Sequence, residues 1–367
     1  PFVENNRPFR NLIINGDMSI FQRATATTTA TSGNYTTVDR FLFYESTDGV
    51  YSTEKEDLSA ADQATTGQRT ALQCDVTTAD GTIGAAQFAA IYQRIEAQNL
   101  QHLLYGTSAA KNLTLSFWVK SNKTGTYCVA IVKDDSTAYY LPIEYTISSA
   151  DTWEKKVINI SPTAGSTSLI TGANGAIADD SGIGIYVSFG LAWGSNFHGT
   201  NNTWVTNAYL ATSNQVNWMD STSNNFFLTG VQLEVGGAAS DFEHLPFDVQ
   251  LTRCHRYYYV HTQPQTGNNE PMGMGMYYSD SQVNAHIPFK VPMRTSPSLV
   301  CTDASNHFVV YRNGGSDAVD NWSAGELTEN VGEIYNNSDF SGSGYSQAGC
   351  VLSTNNASAK LAFDAEL

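Results

Sequence analysis

Short segments in which apolar and polar residues alternate constrain this fold more than any other feature of the sequence. In LTLSFWVKS, Leu113 to Ser121, positions 113, 115, 117 and 119 are apolar and the positions between them are mostly polar. Because successive side chains of a strand point to opposite faces, this pattern predicts a strand with one face in a core. Similar segments follow: Tyr127 to Val132, Tyr139 to Tyr145, Trp153 to Ile160 and Ile183 to Trp193. Many short strands without a sustained helical period predict an antiparallel two-sheet β-sandwich of jelly-roll type.

The segment from Phe226 to Tyr259 predicts a junction between two modules. It opens with a strand in which positions 227, 229, 231, 233 and 235 face a core and positions 230, 232 and 234 face away. Gly236-Gly237 ends that strand, and a short amphipathic connector leads to the next one. A chain of 367 residues also exceeds the usual size of one core. We therefore expect an extended arm (residues 1–10), a jelly roll (11–247), a connector (248–261) and a smaller β-sandwich module (262–367).

Composition and charge exclude several classes of function. The net charge is −16, and no run of Lys or Arg offers the basic surface that nucleic-acid binding requires. No apolar run reaches the ~18 residues of a membrane span, and no charged-then-apolar signal segment opens the sequence, so we expect no membrane insertion. Five scattered cysteines without C-x-x-C spacing predict buried thiols and assembly in a reducing cytoplasm.

No arrangement of residues predicts catalysis. The sequence contains no G-x-S-x-G elbow and no H-x-x-x-H pair. Its acidic clusters are Glu54 to Asp57, Asp134-Asp135 and Asp179-Asp180, whereas glycan hydrolysis needs two carboxylates that face each other. We therefore expect a protein that is not an enzyme and needs no cofactor. A structural Ca²⁺ bound by Asp179, Asp180 and carbonyl groups of the neighbouring Gly-rich loop is the remaining metal hypothesis.

Several motifs along the chain resemble those of one protein family. They are NLIINGDMSIFQR (Asn11 to Arg23), VDRF (Val38 to Phe41), YQRIEAQNLQHLLYGT (Tyr92 to Thr107), TGVQLEVG with its FEH-P tail, and CHRYY (Cys254 to Tyr258). In this order they resemble the jelly-roll domain of many structural proteins of tailed bacteriophages. The resemblance implies a virion protein whose jelly roll is similar to carbohydrate-binding modules, as in tail fibres, tailspikes and capsid-attached fibres. It supplies no binding residue, because the family shares no single ligand site.

The resemblance also implies a mode of assembly. We expect the N-terminal arm to dock onto other virion proteins, and the chain to form a homotrimer that assembles in the cytoplasm of a bacterial host. Aromatic and Met side chains suit such an interface, and the candidates are Tyr257, Tyr258, Tyr259, Met274 and Met276. The alternative is that these side chains fill a single core.

Aromatic residues in polar loops are the candidates for glycan contact, because a flat ring stacks on the apolar face of a pyranose. They are Trp193, Trp204, Trp218 and, in the last module, Trp322. The alternative is that these rings plug the open end of a sandwich.

Other polar residues of the motifs are interpreted as scaffold. Asn11 and Asn15-Gly16 suit turns and strand ends, where a side-chain amide replaces missing backbone hydrogen bonds. Arg94 and Glu96 are predicted to form a structural ion pair. The sequence thus favours a tail fibre or similar appendage that attaches to host-surface glycan. A capsid-attached fibre or decoration protein is the alternative, and a glycan-degrading tailspike is a third hypothesis.

Overall fold

The chain forms two compact units in a computed structural model, which describes residues 9–27, 29–30, 33–264, 269–312, 315–340 and 349–367. Unit 1 comprises Pro1–Gln250 together with Leu367, and unit 2 comprises Leu251–Glu366. Most of the predicted N-terminal arm, residues 1–8, lies outside the described residues. At the end of that arm, Nε of Arg10 donates to Oγ of Ser240 over 2.9 Å.

Eleven strands of the described part of unit 1 form two antiparallel sheets. In chain order they are β1 (Ala26–Thr27), β2 (Leu42–Glu45), β3 (Val50–Asp57), β4 (Thr70–Thr78), β5 (Phe88–Glu96), β6 (Leu113–Ser121), β7 (Gly125–Lys133), β8 (Tyr139–Ile147), β9 (Glu154–Ile160), β10 (Ile183–Trp193) and β11 (Asn225–Val235). The six-stranded sheet has the order β1-β3-β4-β11-β6-β9, and the five-stranded sheet has the order β2-β5-β10-β7-β8. The all-β fold with antiparallel sheets is confirmed.

The two sheets of unit 1 enclose one apolar core. Strand β6 has the predicted bounds, and its four apolar side chains at positions 113, 115, 117 and 119 are buried in that core. From the opposite sheet, the ring of Phe189 meets the ring of Phe117 edge to face, with centroids 5.1 Å apart. Contacts of this kind between the inner faces make the unit a sandwich.

Ten strands of the described part of unit 2 form two further antiparallel sheets. They are β12 (Tyr258–Thr262), β13 (Pro271–Ser279), β14 (Gln282–Pro288), β15 (Ser298–Cys301), β16 (Phe308–Arg312), β17 (Gly315–Val319), β18 (Ser323–Leu327), β19 (Val331–Asn336), β20 (Gly349–Thr354) and β21 (Leu361–Asp364). The orders are β12-β21-β15 and β17-β16-β20-β13-β14-β19-β18. A Cβ added to Gly332 would lie 2.6 Å from the ring of Phe363, which shows how closely β19 and β21 approach across the core.

Helices are short. The α-helices are α1 (Ala60–Thr66) and α2 (Phe247–His255), and the 3₁₀ helices are Ala97–Leu103, Ala164–Ser166, Ala173–Gly175, Ser195–Phe197 and Trp218–Asp220. Ser59 caps α1, since its Oγ accepts from the backbone N–H of Asp62, and Gly67 ends the helix in the left-handed conformation. Helix α2 and the start of β12 occupy the segment predicted as a connector. In the described part of the chain, every helix falls short of the length and apolarity needed to cross a bilayer.

The segment from Asn11 to Phe21 forms a network of turns. Asn15 has a φ of 61°, and its side chain bonds the backbone of Ile20 in both directions, at 2.9 Å. Asn11 likewise bonds the backbone of β11. A Cβ at Gly16 would lie 2.0 Å from the carbonyl oxygen of Val231, so this position requires glycine. The predicted scaffold role of Asn11 and Asn15-Gly16 is confirmed.

The side chains of strand β11 do not alternate between the two faces as predicted. A bulge interrupts its pairing with β6 between Thr229 and Gln232, where Gly230 has a φ of 59°. As a result Leu228 and Val231 both enter the main core, while Phe227 joins a cluster on the other side of the sheet. The prediction that positions 227 and 229 face the core is wrong. The extra residue of the bulge exchanges the two faces for all residues of β11 that precede it, so that these positions lie on the side away from the core.

Candidate functional site

The tryptophans predicted to contact glycan are buried. Exposed fractions are 5% for Trp193, 1% for Trp204, 0% for Trp218 and 3% for Trp322. Nε1 of Trp204 donates to the carbonyl of Ser161, and Nε1 of Trp218 donates to another backbone carbonyl, at 2.9 and 3.0 Å. Because these rings present no open face, we correct the glycan assignment of all four in favour of packing.

The connection between β10 and β11, residues 194–224, explains the burial of Trp193, while Trp204 and Trp218 within it enter the main core of the sandwich. It folds back over part of the outer face of the five-stranded sheet, where Val205 and Tyr140 exchange two backbone hydrogen bonds of 2.9 Å. Gly190 makes room for Trp193, since a Cβ there would lie 2.4 Å from Nε1 of that ring. The connection is polar in composition because many of its side chains face solvent, while its tryptophan rings pack inward.

The predicted interface residues divide into two groups. Tyr257, Tyr258 and Tyr259 are buried, as the core alternative requires. Tyr259 contributes to the core of unit 2, where its ring is stacked with that of Phe363 at 6.4 Å. We therefore correct the assignment of these three tyrosines as surface residues.

Met274 and Met276, by contrast, lie on the outer surface of the seven-stranded sheet. They are 75% and 63% exposed, and Tyr278, two residues further along the same strand, is 77% exposed. Strand β13 is the central strand of that sheet, and Val351 and Tyr311 extend the apolar surface across β20 and β16. We call these five residues the methionine face.

A row of tyrosines crosses the outer face of the five-stranded sheet. It consists of Tyr44 on β2, Tyr92 on β5, Tyr186 on β10 and Tyr140 on β8, and we call it the tyrosine face. The rings of Tyr44 and Tyr92 are stacked at 4.9 Å, and those of Tyr92 and Tyr186 at 5.2 Å. Three of the four side chains are partly exposed, and Tyr92 between them is buried.

Strand pairing positions these rings. Tyr186 pairs with Arg94 and with Val132, and Val132 pairs with Tyr140 on the next strand. The neighbouring positions along each strand, such as Ile91 and Val187, point into the sandwich core. The strict two-residue period of a strand therefore places one set of side chains in the core and the tyrosines on the opposite face.

Charges border the tyrosine face. Arg94 donates to the hydroxyl of Tyr44 over 3.5 Å and also to the carbonyl of Leu367, which in turn accepts from Tyr35 over 3.3 Å. Burial raises the pKa of Asp134, against the lowering influence of the Arg94 charge. Partial burial also raises the pKa of Tyr186. At neutral pH the face thus offers neutral phenols, each able to donate and to accept a hydrogen bond.

Two of the three acidic clusters bond backbone groups through one of their carboxylates. Oδ1 of Asp180 accepts from the N–H of Gly182 over 2.8 Å, and a carboxylate oxygen of Asp135 accepts from the N–H of Ala178. Asp179 and Asp180 are both exposed. Within the described ranges, no group of three or more His, Cys, Asp or Glu side chains is arranged to hold a metal ion. The Ca²⁺ site at Asp179 and Asp180 stays a prediction.

Sequence reasoning missed the tyrosine face. It treated Arg94 as one half of an ion pair with Glu96, and it looked for exposed rings in loops. A usable signal exists: Tyr92 and Tyr186 lie at the positions of their strands that alternate with the core residues, where a solvent-facing strand would ordinarily carry a polar side chain. An aromatic side chain at such a position marks a candidate contact surface.

Comparison with known proteins gives weak structural similarities. No protein-family model matches the chain, and no curated protein matches it. A proposed sugar-binding protein from Bacteroides thetaiotaomicron VPI-5482 is 15% identical with a TM-score of 0.35, covering 62% of this chain and 100% of its own. A family 11 carbohydrate-binding module of a Clostridium thermocellum cellulosomal cellulase is 12% identical with a TM-score of 0.27, covering 59% and 98%.

A bacteriophage structure is also similar. The enzymatically active domain of tailspike protein 4 from bacteriophage CBA120 is 12% identical with a TM-score of 0.32. The match covers 63% of this chain and 22% of the tailspike chain. Similarities at these TM-scores carry no argument about the ligand or activity of this chain.

Proposed function

We propose that this chain is a non-enzymatic, saccharide-binding component of a virion appendage, and that the tyrosine face is its saccharide site. The observation that carries the proposal is the row of tyrosines, three of them partly exposed, that Arg94 and Asp134 border on the outer face of the five-stranded sheet. Aromatic side chains bury much apolar area at little cost in conformational entropy, and their hydroxyls add directional hydrogen bonds. Sugars present the same combination of C–H faces and hydroxyl groups.

The expected affinity is modest. A partly exposed surface that contacts one or two sugar rings is expected to bind with a Kd near 1 mM, which corresponds to about −4 kcal/mol. Several linked copies gain about 10² to 10⁴ in avidity without any new contact. Weak individual sites therefore suffice for attachment to a glycan-covered surface.

Two observations support a binding role over a catalytic one. The carboxylates of Asp135 and Asp180 hold backbone N–H groups, and Asp134 lies beside Arg94. Hydrolysis of a glycan requires a general acid and a second carboxylate on opposite sides of the scissile bond. Incubation of the protein with candidate glycans is therefore expected to release no reducing ends, and sustained release would contradict the binding role.

The virion location rests on the motifs that resemble structural proteins of tailed bacteriophages. We place the chain in a tail fibre or similar appendage that attaches to host-surface glycan, with its N-terminal arm on other virion proteins and assembly in the bacterial cytoplasm. A capsid-attached fibre or decoration protein is the second candidate, because such proteins carry similar motifs. Density for this chain in an intact particle distinguishes the two locations.

The methionine face supports the proposal of self-association. Its five residues are 42–77% exposed and adjoin one another on three neighbouring strands, and such contiguous apolar surface is typical of protein–protein contact sites. A second and third copy of this chain are the partners that we propose for it, giving a homotrimer. The buried tyrosines at 257–259 take no part in this interface.

Binding at the tyrosine face is tested with Tyr186→Ala. The probes are a panel of neutral hexose oligosaccharides and polysaccharide purified from candidate host surfaces, measured by glycan array and then by calorimetry. We expect at least a tenfold loss of affinity, because the central partly exposed ring of the row is removed. Tyr186→Phe, which keeps the ring and removes one hydroxyl, is expected to lose less.

Tyr335→Ala is the matched control, since it removes a partly exposed tyrosine from the other unit, outside the methionine face. Equal loss in Tyr186→Ala and Tyr335→Ala would show that ring removal acts nonspecifically. Binding of a saccharide that is unchanged in Tyr186→Ala would place the site elsewhere.

A further inference from the structure

A cavity lies in unit 1, and its lining includes no residue of the tyrosine face. Its volume is about 410 Å³, within the range of small-molecule sites. It forms where the end of β3, helix α1, the start of β4 and the start of α2 meet, and its lining includes Lys55, Asp57, Gln63, Arg69 and Phe247. Two hydroxyl side chains complete the lining.

Phe247 supplies an open aromatic ring. It is the first residue of α2 and is 64% exposed, and among the described residues its ring contacts no other ring and no cation. Large apolar side chains on a helix usually face the core. A ring that lies open at the rim of a cavity is available to stack on the apolar face of a sugar.

The charges of the cavity favour an anion. Lys55 and Asp57 form an ion pair of 2.7 Å, so their charges offset each other. The guanidinium of Arg69 is exposed, and it forms no hydrogen bond or ion pair with any described residue. Arg69 can therefore bind a carboxylate or phosphate with two parallel hydrogen bonds.

Gln63 adds a hydrogen-bond acceptor for a hydroxyl group of a ligand. Its Nε2 donates to the carbonyl of Leu58 over 2.7 Å, which holds the side chain in place. Its Oε1 remains as an acceptor at the cavity. A ring for stacking, a free guanidinium and a fixed amide oxygen together match the three kinds of group on an acidic sugar.

From this geometry we propose that the cavity binds an anionic saccharide residue, with its carboxylate or phosphate on Arg69 and its ring on Phe247. Such sugars occur as uronic acids and as sugar phosphates, and both present the same chemistry to the site. The proposal does not depend on the tyrosine face, because the two sites share no residue.

The experiment titrates the full chain with methyl glucuronide, glucose 6-phosphate and methyl glucoside, followed by NMR or calorimetry. We expect at least one anionic probe to bind at least tenfold more tightly than the neutral glucoside. Arg69→Gln and Phe247→Ala are each expected to weaken that binding at least fivefold, whereas Phe247→Tyr retains it. The probe that binds identifies a carboxylate or a phosphate as the preferred anion.

Two controls make the outcome decisive. Lys111→Gln removes one exposed positive charge elsewhere on the surface, and Tyr186→Ala disrupts the tyrosine face. Both are expected to leave binding of the anionic probe unchanged. Equal binding of the neutral glucoside, absence of binding by both anions, or an equal loss in Lys111→Gln and Arg69→Gln would overturn the proposal.

Discussion

Large apolar side chains have opposite environments in two regions of this molecule. In residues 193–218 of unit 1, three tryptophans in a polar sequence context are buried. On strand β13 of unit 2, Met274, Met276 and Tyr278 lie in the middle of a sheet and are mostly exposed. The first region has a long connection that folds back over its sheet. In the described part of unit 2, the outer face of β13 has no comparable cover.

The difference shows that exposure depends on what covers a sheet and less on local polarity. A loop rich in Asn and Ser can bury its rings if its other residues satisfy the backbone of the sheet beneath, as Gln215 does for Cys128 over 2.6 Å. A strand in the centre of a sheet can expose its side chains if only one face has a partner layer. Searches for binding residues therefore benefit from examining solvent-facing strand positions as well as loops.

The largest expected loss of stability follows from substitution of a buried tryptophan in unit 1. Trp218→Ala is expected to destabilise unit 1 by about 4 kcal/mol, because it removes a fully buried ring and one of the two donors to the carbonyl of Asn225. Urea unfolding measures the change. Tyr278→Ala on the exposed side is the control and is expected to change stability by less than about 0.5 kcal/mol. Similar losses in both variants would remove the contrast between the two regions.

A smaller loss of stability is expected at acidic pH, because unit 2 contains a buried histidine, His255. Burial, aided by the charge of Lys290, lowers the pKa of His255 to about 4. In the unfolded chain this group titrates near 6.5, so between about pH 6.5 and 4 the unfolded state binds a proton that the folded state does not. Folding stability is therefore expected to fall by about 2 kcal/mol as the pH is lowered from 7 to 4.

His255→Gln isolates this contribution. The comparison is between the variant and the unmodified chain, with the free energy of unfolding measured at pH 7 and at pH 4. The variant is expected to lose less stability on acidification, since it lacks the titrating ring. An identical pH dependence in the two proteins would show that His255 does not carry the effect.

The smallest effect on stability is expected on the methionine face. The double substitution Met274→Lys and Met276→Lys is expected to change the free energy of unfolding of the single chain by less than about 0.5 kcal/mol, because both side chains are exposed there. The measurement is made at protein concentrations low enough to keep the chain monomeric. The double substitution is nevertheless expected to abolish self-association, since it places two charges in the proposed apolar interface. Analytical ultracentrifugation measures the change. A monomeric unmodified chain, or a trimer that persists in the double variant, would contradict the assembly proposal.

Much of the fold could be predicted from particular segments. The bounds of β6 and β10 follow from local alternation, and Asn15-Gly16 follows from turn chemistry. Helix α1 was missed because its seven residues carry no apolar period, and its signal is limited to the Ser59 cap and Gly67. Strand β11 was assigned the wrong phase because a bulge at a glycine leaves no mark on composition.

The candidate sites were harder to predict. Tyr44, Tyr92, Tyr140 and Tyr186 belong to four strands that are distant in sequence, and only the sheet order brings them together. The cavity lined by Arg69 and Phe247 likewise joins parts of the chain that share no motif. Neither site could be found by spacing, because the distances along the chain between its members have no regular relation to their distances in space.

The sequence by itself determined the elements of this protein: strand positions, an all-β class and the turns at which only glycine or asparagine fits. These depend on the two-residue period of a strand and on backbone sterics, both of which act between near neighbours. Only the tertiary structure decided which sheet faces are covered, which aromatic rings are buried and which polar groups share a cavity. Those outcomes depend on packing between segments far apart in the chain, where local pattern carries no information.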